Sequence, residues 1–103
     1  MGLDYAWEKF HLASLALVAD LPIKQRVIGA IVVLRRLSTE TDLPKDIAAN
    51  FKLFMAEVTK VPAVENEGRI ADTINSLPDE EVEKVAEQII WMYDDVARAF
   101  GQQ

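Results

Sequence analysis

The stretch Val27-Ile28-Gly29-Ala30-Ile31-Val32-Val33-Leu34 contains no polar side chain, and it decides the fold. A segment that is apolar on every side has no face to give to water, so we expect it to lie at the centre of the molecule. Its β-branched residues would also suit a buried strand, but the chain offers no second strand for it to pair with. We therefore predict that residues 22–37 form a central helix.

Apolar residues on either side of this helix recur every three or four positions, which is the spacing of one helical face. They predict three further main helices, within residues 3–21, 44–61 and 78–100, and a short helix from about Arg69 to Ser76. Three prolines are expected in the first turns of helices: Pro22, Pro44 and Pro78. The predicted fold is all-α, a small helical bundle of four main helices and one short helix, in a single domain of residues 1–103.

The composition limits the classes of function. Of the 103 residues, 50% are hydrophobic and 27% are charged, which is typical of a globular domain. The formal net charge of −6 disfavours nucleic-acid binding, because phosphate contacts need clustered Lys and Arg. Disulfides, thiolate chemistry and cysteine-based zinc sites are excluded, since the chain has no cysteine.

The sequence also predicts a cytoplasmic protein. No apolar run approaches the roughly 18 residues of a membrane span, so no membrane partner is expected. The apolar segment 12–19 resembles the core of a signal peptide, but it is preceded by Asp4, Glu8 and Lys9 instead of a basic head. We therefore expect neither an export signal nor a membrane anchor.

Enzymatic chemistry finds little support. His11 is the only histidine, and no serine or threonine lies in a nucleophile motif. Glycine-rich phosphate loops are absent, so we expect no catalytic residues and no cofactor. Glu8 and His11 have the Glu-x-x-His spacing of di-metal helical bundles, but such sites need this motif twice. A metal-dependent enzyme or sensor is therefore the least favoured hypothesis, and a half-exposed histidine beside a helical stripe is the simpler interpretation.

The last predicted helix carries an acidic face formed by Glu80, Glu83, Glu87, Asp94 and Asp95. Such a face suits an inhibitor, immunity or antitoxin-like protein that occupies a basic site on its target. The alternative is a solvated helix surface, on which Arg98 pairs with Asp94 or Asp95.

Some apolar residues exceed what a small bundle needs to bury. The candidate interface residues are Leu12, Leu15, Ile28, Val32 and Trp91. Trp91 lies opposite the apolar stripe of the last helix, where it either meets a partner or packs against segment 61–68. Ile28 and Val32 either face another copy or are covered by helices of the same chain, and Gly29 is expected to permit close helix approach. The sequence thus predicts a non-enzymatic interaction module or accessory subunit, self-associating as a dimer. The acidic inhibitor is the alternative.

Overall fold

A computed structural model of the chain describes residues 2–62 and 66–102. Within these ranges the chain folds into α-helices and contains no strand. The helices are α1 (Leu3–Leu17), α2 (Ile23–Leu34), α3 (Lys45–Val58), α4 (Asn66–Asn75) and α5 (Asp79–Gly101). The predicted all-α bundle of four main helices and one short helix is confirmed. None of the described helices is both long and apolar enough to cross a lipid bilayer.

Helices α2 and α5 form the middle of the bundle. The first packs against α1, α4 and α5, and the second packs against α1, α2 and α3. Helix α3 reaches the rest of the molecule through α4 and α5. The central position predicted for α2 is therefore correct, and α5 shares it.

The buried residues of α2 recur every three or four positions, which is the spacing of one helical face. Val27, Ala30, Ile31 and Leu34 are fully buried in the core. On α1 the buried residues are Ala6, Phe10, Ala13 and Leu17. The sequence pattern does not single out the two alanines, because a small side chain gives little periodic signal even where it is buried.

Three of the helices begin directly after a proline. Pro22, Pro44 and Pro78 each occupy the N-cap position, one residue before the first helical residue. Their backbone is extended, with φ between −56° and −67°, and the proline ring fixes this φ in advance. Each proline carbonyl accepts an amide hydrogen bond from the first turn of its helix. The first-turn positions expected from the sequence are therefore displaced by one residue.

Buried polar side chains fasten the connections between helices. The Asp42 carboxylate accepts hydrogen bonds from the backbone amides of Gly2, at 3.2 Å, and Ser38, at 2.8 Å. The buried hydroxyl oxygen of Thr73 in α4 accepts one from the amide of Val61, at 3.1 Å. These bonds satisfy backbone donors that the helices leave free, and they hold the ends of α1, α3 and α4 in place.

Candidate protein-binding groove

A groove separates α3 from α5, and the two helices run in opposite directions along it. One end is lined by Pro44 and Asp46 at the start of α3 together with Gln102 at the end of α5. The other end is lined by Lys60, just after α3, by Thr73 of α4 and by Glu81 in the first turn of α5. The wide central section between them has a volume of about 520 Å³.

The central section has an apolar floor and apolar rims. Phe54 of α3 and Met92 of α5 are buried and form the floor. The residue that precedes each of them lies on a rim and is largely exposed: Leu53 by 72% and Trp91 by 63%. Successive residues of a helix point about 100° apart, so the residue just before a buried floor residue can lie at the edge of the groove. The same arrangement on two antiparallel helices places Leu53 and Trp91 on facing walls.

The three sections follow one another along α5 and share lining residues where they meet. The central section shares Asn50 and Asp95 with the section towards the end of α5. It shares Glu57 and Gln88 with the section towards the start of α5. From Glu81 to Gln102 the lining residues of the three sections extend along α5 for about 30 Å, at 1.5 Å per helical residue.

The ionisable side chains of the central section are both acidic. They are Glu57 on α3 and Asp95 on α5, and no lysine or arginine lines this section. Glu57 pairs with Lys60 at 2.6 Å, whereas Asp95 forms no ion pair with any residue in the described part of the chain. Asp94, the neighbour of Asp95, does not line the groove and pairs with Arg98 at 2.9 Å. The central groove therefore combines an apolar floor with negative walls.

The residues of the predicted interface lie on three helices. Trp91 is in the groove, and Leu12 and Leu15 are exposed on α1. Ile28 and Val32 are half-buried and pack against the core. Lys24, Ile28 and Val32 are four residues apart and therefore lie on one side of α2. The Lys24 ammonium donates a hydrogen bond to the carbonyl of Asn75 in α4, at 3.3 Å, so this side of α2 faces α4.

Two further expectations concern the surroundings of Gly29 and Trp91. A side chain added at Gly29 would meet no atom of the described chain within 4 Å, so no other described helix packs closely against this glycine. Close approach by a helix of another copy stays a prediction. Segment 61–68, the alternative contact surface expected for Trp91, falls partly on residues 63–65, which lie outside the described residues. The groove walls around Trp91 come from α3 and α5.

His11 belongs to an aromatic cluster between α1 and α5. Its ring stacks on Trp7 with centroids 5.0 Å apart and planes 7° apart, and its Nδ1 lies 2.9 Å from the hydroxyl oxygen of Tyr93. Trp7 also stacks on Phe100 of α5, at 5.9 Å. Glu8 is exposed, and residues 2–62 and 66–102 contain no group of three or more side chains placed to hold a metal ion.

Sequence reasoning missed Leu53. The apolar stripe of α3 consists of Ile47, Phe51, Phe54, Met55, Val58 and Val61. Leu53 lies outside this stripe, and an isolated exposed leucine is common on protein surfaces. The acidic residues Glu80, Glu83, Glu87, Asp94 and Asp95 are all exposed, and only Asp95 lines the central groove. Leu53 matters because Trp91 lies on the opposite wall of the groove, a relationship that the spacing of residues in the sequence does not reveal.

Fold and site together define a small all-helical domain with a long, open groove between two of its helices. Comparison with family models, curated proteins and solved structures gives no match for this chain. The function therefore has to be inferred from the groove itself.

Proposed function

We propose that this protein is a non-enzymatic interaction module, an accessory subunit that binds another protein in the groove between α3 and α5. The observation that carries the proposal is the pair of exposed rim residues, Leu53 and Trp91, above a buried apolar floor. Tryptophan is among the residues most enriched at the energetic centres of protein interfaces. An anchor residue of the partner would be covered from both walls at once.

Concavity distinguishes this site from ordinary exposed apolar surface. Single exposed leucines are common on folded proteins and need no explanation. Here an aromatic and an aliphatic side chain face each other across a concave surface whose floor is already buried. Such a site lets a partner side chain exclude water on several sides, which is the property of an interface hot spot.

A site-specific crosslinking experiment tests this proposal. A photoreactive amino acid replaces Leu53 in one variant and the exposed Lys52, which does not line the groove, in a second variant. After irradiation in the producing cells, we expect protein adducts from position 53, and we expect Trp91→Ala to suppress them. Adducts of equal yield from both positions, or adducts that ignore Trp91→Ala, would overturn the proposal.

Self-association is a second candidate, and a different surface favours it. Leu15 and Val18, exposed by 53% and 77%, lie with Leu12 and Leu21 along the last turns of α1 and the connection that follows. A row of this kind suits a two-fold contact between copies. Light scattering at two concentrations tests it: a dimer lost in Leu15→Glu but kept in Trp91→Ala supports it. A monomer at both concentrations excludes it.

The setting we propose is the cytoplasm. The lack of cysteine agrees with a reducing compartment, and the net charge of −6 favours a protein partner over nucleic acid. Fractionation of the producing cells with an antibody against the chain tests this placement.

A further inference from the structure

We infer that the groove between α3 and α5 takes an amphipathic helix of the partner, with apolar anchor residues on one side and Lys or Arg beside them. This inference rests on the proposed function, since it names the occupant of the same groove. Shape and charge support it independently.

The shape of the groove favours a helix. Both walls are helices, and the described part of the chain has no strand, so an extended peptide would find no sheet edge for backbone hydrogen bonds. A helix satisfies its own backbone hydrogen bonds and presents side chains every three to four residues. The lining residues of the three sections extend for about 30 Å along α5, which is the length of roughly 20 helical residues.

The anchor positions follow from the central section. Leu53 and Trp91 rise on the two rims, and Phe54 and Met92 close the floor between them. An apolar side chain of the docked helix would lie on this floor, and its neighbours one turn away would contact the rims. Aromatic and aliphatic anchors that enter such a groove dominate the affinity of helix-in-groove complexes.

The charge of the groove favours a basic partner. Glu57 and Asp95 lie on opposite walls of the central section, which has no lysine or arginine. Three cationic side chains line the ends of the groove, and each forms an ion pair with a carboxylate three or four residues earlier in the sequence. The pairs are Lys60 with Glu57, Lys84 with Glu81 and Arg98 with Asp94. Lys or Arg beside the anchors would therefore meet uncompensated negative charge at Asp95, and carboxylates there would be repelled.

The same charges disfavour a second copy of this chain as the occupant. A two-fold contact through the groove would bring Glu57 and Asp95 of both copies into one interface. Like charges placed opposite each other in an interface weaken binding. The groove and the exposed row on α1 are therefore different surfaces, suited to different partners.

The test uses three labelled synthetic peptides of roughly 18 residues, about the length of the groove. The first is a helix of Leu and Lys, with Leu at positions i, i+3, i+4 and i+7. The second replaces every Lys with Glu, and the third scrambles the first so that no apolar face forms. Binding to the full-length chain is followed by fluorescence anisotropy at low and at physiological ionic strength.

We expect the Leu/Lys helix to bind most tightly and the scrambled peptide to bind at least about tenfold more weakly. Trp91→Ala should raise its dissociation constant about tenfold or more. Asp95→Asn should raise it several-fold, with a smaller loss of affinity on adding salt. Glu83→Gln is the matched control: it removes one exposed α5 carboxylate outside the groove, and it should change the constant less than Asp95→Asn does.

The remaining outcomes separate this inference from the proposed function. If the Leu/Glu peptide binds better and depends on Trp91, the groove is a binding site but the partner is not basic. A doubled mass that Trp91→Ala abolishes assigns the groove to a second copy, and it also overturns the basic-helix inference. Equal binding of the Leu/Lys helix to the wild type and to Trp91→Ala would mean that charge attraction alone holds the peptide, and it would overturn the inference. The crosslinking experiment at position 53 would then still test the proposed function.

Discussion

The hydroxyl oxygen of Tyr93 on α5 lies 2.9 Å from Nδ1 of His11 on α1, within hydrogen-bond distance. Trp7 stacks on the same imidazole ring, so the His11 side chain is held by one hydrogen bond and by one stacking contact. The two helices are adjacent although their residues are far apart in the sequence, and this contact locks their relative position. A structural role thus accounts for the histidine that the Glu-x-x-His spacing had offered as a metal ligand.

Removing the Tyr93 hydroxyl should weaken the fold slightly. We expect Tyr93→Phe to lower the free energy of unfolding by about 0.5–1.5 kcal/mol, the net value of one such hydrogen bond. Urea denaturation followed by far-ultraviolet circular dichroism measures the change. Tyr5→Phe is the control, because the Tyr5 ring contacts the Lys9 ammonium and its hydroxyl has no partner among the described residues. A loss of equal size in both variants would contradict this account.

Asp42 should matter more than other carboxylates of the chain. It is only 5% exposed, and Asp42→Ala would leave the amides of Gly2 and Ser38 without their acceptor. We expect a loss of about 1–3 kcal/mol in the free energy of unfolding, the usual penalty for unsatisfied buried donors. Asp20→Ala, at an exposed loop position, should change it by less than about 0.5 kcal/mol. Similar values for the two variants would show that the Asp42 bonds do not hold the start of α1 against the connection between α2 and α3.

Trp91 should be nearly dispensable for folding although it is large. Because it is largely exposed, we expect Trp91→Ala to change the free energy of unfolding by about 1 kcal/mol or less. Met92, the next residue in the sequence, is buried in the floor of the groove, so Met92→Ala should lower the free energy of unfolding by about 2–5 kcal/mol. Thermal and urea unfolding of the two variants measure this contrast. A large loss in Trp91→Ala would mean that the indole supports the packing of α3 on α5, which would leave its exposure without a functional reason.

The fold was predictable from the sequence because strong local signals agreed with one another. The apolar run of α2, the prolines before α2, α3 and α5, and the clean stripe of α3 each depend on neighbouring residues alone. Boundaries were less certain: α4 begins at Asn66 instead of about Arg69, and α2 ends at Leu34 instead of residue 37. Helix ends depend on capping geometry and fray by one or two residues, which periodicity does not capture.

The groove was only half predictable. Trp91 was visible because a tryptophan on a charged helical face is unusual, whereas Leu53 looked like any exposed leucine. The pairing of the two follows from the antiparallel contact of α3 with α5, which is a tertiary relationship between distant residues. For the same reason, the sequence treated Leu12, Leu15, Ile28 and Val32 as one apolar surface, whereas Leu12 and Leu15 are exposed on α1 and Ile28 and Val32 are half-buried on α2.

Gly29 offers a test of whether the outer side of α2 is free. It lies inside the helix, and a methyl group added there would meet no atom of the described chain within 4 Å. Glycine in a helix interior is less favourable than alanine, so Gly29→Ala should raise the free energy of unfolding by about 0.5–1 kcal/mol. Ala56→Gly, at an exposed position within α3, is the reverse control and should lower it by a similar amount. Light scattering completes the measurement: an unchanged mass is expected for Gly29→Ala. A smaller mass or a loss of stability would show instead that another copy of the chain packs closely against Gly29, and the second apolar face of α2 would then be an interface.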